Sequence, residues 1–148
     1  MQPDKKYLEK ISAQTSFQRD NLEKIWRLII LLKRIFENSQ IKNKVLLRGG
    51  FALNFIYFDI PRLSVDIDLD FIGALDRKQM EQEREPLKEE FRTIIRELQY
   101  DIIEPPSFYA NSQFILTYTN LWNNSAKIKI KIDSNWLNRL PVMGKTIH

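Results

Sequence analysis

The sequence contains no cysteine. Disulfides and thiolate metal sites are therefore excluded, and the composition suits a reducing, cytoplasmic setting. Histidine is nearly absent as well, since His148, the last residue, is the single copy. Acid–base chemistry then falls to carboxylates and lysines, and a histidine metal site has nothing to build on. Long apolar runs are also missing. The longest, Leu28 to Leu32, is far short of the roughly 18 residues that would suggest a membrane span. The opening MQPDKKYLEK has no apolar stretch of the secretory kind. Glycine occurs only four times, so two adjacent glycines stand out.

What is present fits a globular chain. Its 148 residues suit one domain, 1–148, with 141–148 read as a tail and 1–14, where Tyr7, Leu8 and Ile11 fall at helical spacing, as a short helix or a frayed start. The net charge is +4 and the pI about 9.3. That modest basic excess suits nucleotides or nucleic acid, and it equally suits a plain soluble surface.

The chain is organised around residues 46 to 72, LLRGGFALNFIYFDIPRLSVDIDLDFI. The pattern predicts strand, glycine turn, short helix over Phe51 to Phe58, proline turn at Asp59-Ile60-Pro61, and a second strand. Side chains alternate along a strand. Ser64, Asp66, Asp68 and Asp70 then share one face, and Val65, Ile67, Leu69 and Phe71 share the other. The second set suits a core. Gathering the acids of the first set is costly unless a cation neutralises them, and carboxylates are ligands of choice for Mg²⁺. Gly49 and Gly50 allow the backbone to approach an anion, and a helix starting after them would aim free N–H groups at phosphate. Carboxylates facing an anion-binding turn suggest a nucleoside triphosphate and its metal. An Asp-x-Asp pair alone is weak, since surface strands and sugar-nucleotide enzymes carry it too. A Gly-Gly pair alone is more often just a turn.

Before this stretch, Thr15 and Gln18 fit a capping box. Leu22, Ile25, Trp26, Ile29, Leu32 and Phe36 then recur at helical spacing, widened by Leu28, Ile30, Leu31 and Ile35. A helix apolar on that many sides is expected to be buried, either under the sheet, which is favoured, or in part against another chain. Asn38 to Lys44 reads as a polar turn, and Val45 to Leu47 as a central strand. After it, Asp76 can cap a charge-rich helix that Pro86 either kinks or restarts. The basic residues Arg77, Lys78, Arg84, Lys88, Arg92 and Arg96 read as an RNA face or, given the interleaved acids, as a solvated surface, which is favoured. Tyr100 to Glu104 reads as a strand. Phe114 to Thr119 and Lys127 to Asp133 read as a hairpin around Asn123-Asn124. In KIKIKID the isoleucines take one face, and Lys127, Lys129, Lys131 and Asp133 the other. On periodicity alone this is an exposed lysine strand that resists edge pairing.

The strings Leu47-Arg48-Gly49-Gly50-Phe51-Ala52-Leu53-Asn54 and Arg62-Leu63-Ser64-Val65-Asp66-Ile67-Asp68-Leu69 together resemble the AbiEii/AbiGii toxin family. These are nucleotidyltransferases of the DNA polymerase β-like superfamily, and the likeness covers roughly residues 17 to 135. It implies an α/β (α+β) fold, a small mixed β-sheet flanked by helices. It also implies NMP transfer from an NTP to an acceptor hydroxyl, aided by Mg²⁺ or Mn²⁺. The metal ligands and catalytic acids would be Asp66, Asp68 and Asp133. Gly49, Gly50, Arg62, Ser64 and Lys131 would bind the nucleotide. The implied biology is the toxin of a toxin–antitoxin or phage-defence pair, with tRNA or another RNA as acceptor, a cognate antitoxin as partner, and no membrane. Phe51 departs from the family, which places threonine or serine after the glycines. Family members are commonly longer, with a helical C-terminal portion. Two rival readings follow: a member that binds nucleotide or partner without turnover, and a transferase acting on small molecules such as antibiotics.

Overall fold

A computed structural model describes residues 3–47, 66–73, 76–106 and 111–133. The expected helix over 51–58, its proline turn and the tail beyond 133 lie outside these residues.

The described chain runs α1 (Lys5–Gln14), α2 (Arg19–Glu37), α3 (Ser39–Lys42), β1 (Val45–Leu47) and β2 (Asp66–Phe71). It continues with α4 (Arg77–Glu97), β3 (Asp101–Ile103), β4 (Asn111–Thr119) and β5 (Ser125–Asp133). The strands form one mixed sheet in the order β1-β2-β5-β4-β3. β2 and β5 are parallel, and every other neighbouring pair is antiparallel. This is the expected α/β architecture with helices against a small mixed sheet.

The alternation seen in the sequence sets the two faces. Ile67, Leu69 and Phe71 on β2, Phe114 and Leu116 on β4, and Ile128, Ile130 and Ile132 on β5 are all at most 2% exposed. They pack under α2 (Leu28, Leu31, Ile35) and α4 (Met80, Leu87, Phe91, Ile94, Ile95) in one core. Phe91 stacks on Phe114 with ring centroids 5.9 Å apart. The other face carries the polar partners, and Leu46 and Ile103 stand open there at 57% and 53% exposure.

Several local expectations are corrected. Thr15 does not open α2: its hydroxyl donates to the Ile11 carbonyl and accepts from the Phe17 amide, closing α1 instead. α2 begins one residue after Gln18, which makes no side-chain cap. Residues 5–14 form the short helix that their spacing suggested, tied to the hairpin by Trp122, whose indole N–H donates to Glu9 at 3.0 Å. Asn38 to Lys44 contains a helical turn, because Asn38 caps the amides of Gln40 and Ile41 and Ile41 enters the core. β1 is an edge strand of the described sheet, not a central one. Pro86 does not restart α4, which runs through it. Pro86 faces solvent, where the carbonyl that loses its partner can bond to water. Asp76 caps α4 as expected, accepting from the Gln79 amide at 2.8 Å.

Candidate functional site

Ladder register brings distant residues together. β2 and β5 pair Asp66 with Lys129, Asp68 with Lys131 and Asp70 with Asp133. β4 and β5 pair Gln113 with Lys131 and Asn111 with Asp133. Partners across a ladder share a face. Two rows therefore cross the open face. One reads Asp68, Lys131, Gln113, and the other reads Asp70, Asp133, Asn111.

A cavity of about 420 Å³ lies over these rows, lined by Asp68, Lys131, Asp133, Asn111, Gln113 and Ser112 among others. Asp68 and Asp133 are half-buried and Lys131 is exposed. Asp133 sits two residues beyond the Lys131 that faces Asp68. That diagonal is roughly 7–8 Å between backbones, within reach of side chains on neighbouring strands. The open face that bears Asp68 is thus the face that bears Asp133 and Lys131.

Lys129 and Lys131 do not guard an edge. β5 lies between β2 and β4, and residues 129–133 are paired on both sides, so the edge-protection reading has no edge to protect there. Ion pairs, in contrast, claim four of the basic residues of α4. Arg77 pairs with Glu81, Lys88 with Glu85 and Glu104, and Arg96 with Glu89. Arg92 bonds to Glu85, Glu89 and Glu104. That helix face is a network of alternating charges, as the interleaved acids suggested, with Lys88 and Arg92 largely covered within it.

Other candidates fall outside what is described. Asp66 pairs through its backbone with Lys129. Its side chain lies outside the described residues, as do Gly49, Gly50, Arg62 and Ser64. Among the described residues no three Asp, Glu, His or Cys side chains are gathered to hold a metal. The donors in the cavity are hard carboxylate oxygens on adjacent strands, a chemistry that fits Mg²⁺ or Mn²⁺.

The structure also adds residues. Asp70 stands directly opposite Asp133, a like-charge pair that a cation would relieve. Its place on the acid face was visible in the strand period. Asn111 and Gln113 were not singled out, because residues 111–113 are polar and lack the apolar alternation that marks a strand.

The model of the nucleotidyl transferase AbiEii toxin, of type IV toxin–antitoxin systems, matches residues 30–145. The chain belongs to the AbiEii family. Among solved structures, it is similar to a Helicobacter pylori protein described provisionally as a nucleotidyltransferase. The identity is 19% and the TM-score 0.45, over 71% of this chain and 43% of that one. It is also similar to JHP933 from Helicobacter pylori, at 19% identity and a TM-score of 0.44, over 71% of this chain and 41% of that one. The chain thus spans less than half the length of either. No curated protein matches. No described helix is long and apolar enough to cross a membrane.

Proposed function

We propose that this AbiEii chain transfers a nucleotidyl group from an NTP to an acceptor hydroxyl. The observation that carries the reading is the parallel β2–β5 register, which gathers Asp68, Lys131 and Asp133 at one open cavity. Such a set has no role in the core and suits a polyphosphate with its cation.

Asp66, Asp68 and Asp133 would hold a divalent cation, Mg²⁺ or Mn²⁺. When bound, it neutralises triphosphate charge and lowers the pKa of the attacking hydroxyl. Lys131 meets a phosphate oxygen as a compact point charge. Gly49 and Gly50 present backbone N–H groups to phosphate, with Ser64 and Arg62 as further contacts. The Asp133 carboxylate accepts the proton of the acceptor hydroxyl. The hydroxyl oxygen bonds to the α-phosphorus, and the bond from that phosphorus to the bridging oxygen breaks. Its electron pair leaves with pyrophosphate. The acceptor is tRNA or another RNA, and a cognate antitoxin is the protein partner.

The test incubates the protein with each labelled NTP, total tRNA and a titration of Mg²⁺ or Mn²⁺, beside Asp68→Asn. Metal-dependent label on RNA that Asp68→Asn abolishes supports the proposal. Label appearing only on an aminoglycoside acceptor would remove the RNA reading. Nucleotide binding without transfer to any acceptor would replace the enzyme with a binding protein.

A further inference from the structure

We infer that Gln113, with Asn111 beside it, hydrogen-bonds the edge of a nucleobase in the β2–β5–β4 cavity and so sets base preference. This rests on the nucleotidyl-transfer reading of that cavity and deepens it.

The row from Asp68 through Lys131 to Gln113 changes chemistry at each strand: acid, cation, neutral amide. Strands lie about 4.8 Å apart, so Gln113 stands roughly 10 Å across the sheet from Asp68. A nucleotide laid along that row needs the same order. Its phosphates want cation and metal-holding acids, and its base wants neutral donors and acceptors. Phosphate oxygens only accept, so an amide that both donates and accepts is poorly matched to them. A base edge sets donor and acceptor side by side, which a carboxamide can meet with two bonds.

Two other amides are committed to the fold. Asn38 accepts from two backbone amides and donates to Glu90. Asn120 accepts from the amides of Trp122 and Asn124. Neither the Asn111 nor the Gln113 carboxamide has a hydrogen-bond partner among the described residues. Both line the cavity, whose volume of about 420 Å³ falls within the roughly 300–1,000 Å³ typical of small-ligand sites. The base could belong to the incoming NTP or to the acceptor's terminal nucleotide, and the two arms below separate these.

In the first arm, binding of each of the four Mg-NTPs is measured without acceptor for the full chain, Gln113→Leu, Gln113→Glu and Lys131→Ala. In the second, transfer from the best NTP is measured onto short RNAs that differ only in the terminal base. If the base is the nucleotide's, Gln113→Leu narrows the NTP preference by roughly tenfold. Gln113→Glu, which exchanges a donor for an acceptor, re-orders it, and Lys131→Ala weakens all four NTPs alike. If the base is the acceptor's, the NTP ranking holds and the terminal-base ranking flattens instead. Both rankings unchanged in both Gln113 variants would overturn the inference while leaving the transfer proposal intact. So would a wild type with no base preference in either arm. A wild type that neither binds nor transfers any nucleotide would overturn both. Unchanged melting temperatures in the Gln113 variants exclude a folding explanation.

Discussion

The two ends of the β4–β5 hairpin hold charge in different ways. At the turn end, Glu23 of α2 is fully buried yet saturated. Arg27 Nε donates to one oxygen at 2.8 Å, and the Leu121 amide donates to the other at 2.9 Å. Arg27 also donates to the Tyr100 hydroxyl and lies 4.2 Å over the Tyr118 ring. Burial pushes both tyrosine hydroxyls above their ordinary range, so they stay neutral partners. At the other end, Asp133 is set opposite Asp70, beside Lys131 and Asp68, at an open cavity. Buried charges that answer one another hold a fold. Acids gathered at an open cavity are instead the ones we propose to meet a bound cation.

The largest expected effect breaks this contrast at the cavity end. Asp68→Asn or Asp133→Asn should lower transfer by on the order of 10²–10³-fold. Either should change the melting temperature little, because both acids stand on the open face, outside the core. Thermal unfolding beside the transfer assay checks this. A cavity-end variant that melts early would show that these acids also brace the fold.

Glu23→Gln should do the opposite. Arg27 is left buried without its counter-charge, at a cost of about 3–5 kcal/mol and a melting point lower by roughly 10 °C. Activity per folded molecule should hold. Denaturant melts and the specific activity of the folded fraction separate the two effects.

The sequence period made the apolar halves of both ends legible. Alternation in VDIDLDF and KIKIKID assigned Ile67, Leu69, Ile128, Ile130 and Ile132 to the core side, and the structure buries them. The same period put Asp68 and Asp133 on the opposite faces of their own strands. It could not say that β2 and β5 are neighbours, since register between distant strands has no local signal. Pairing is a tertiary fact, and the resemblance to the family supplied that expectation. The Glu23–Arg27–Tyr100 cluster was missed because a charge inside an apolar helix stripe looks like any solvated residue until its partners arrive. Asn111 and Gln113 were missed because strand β4 begins in a polar run.

A smaller effect sharpens the turn end. Asn120 is buried, and its side-chain oxygen accepts from the amides of Trp122 and Asn124. This fixes a turn in which Asn123 holds a φ of 64°. Asn120→Ala leaves those amides to find water, costing about 1–2 kcal/mol. Asn123→Gly should be tolerated, since glycine takes a positive φ without strain. Equilibrium unfolding of the two variants checks the difference. An Asn120→Ala protein as stable as wild type would mean that the turn holds without its side-chain cap.

The smallest effect concerns the exposed network on α4, and it should appear only in acid. Arg92 bonds both oxygens of Glu104, at 2.6 and 3.0 Å. Those bonds hold the Glu104 carboxyl below its ordinary value of 4.5. A carboxyl with a depressed folded pKa contributes its full stability above the unfolded value and loses it as pH falls through the folded one. Wild-type stability should therefore drop below about pH 4.5 more steeply than that of Glu104→Gln, with the two curves parallel near neutrality. The gap near neutrality should be within about 1 kcal/mol, because solvent screens the pair. Urea melts across pH 3 to 7 would read both, and a variant whose acid limb matches wild type would show that Arg92 is held by Glu85 and Glu89 instead.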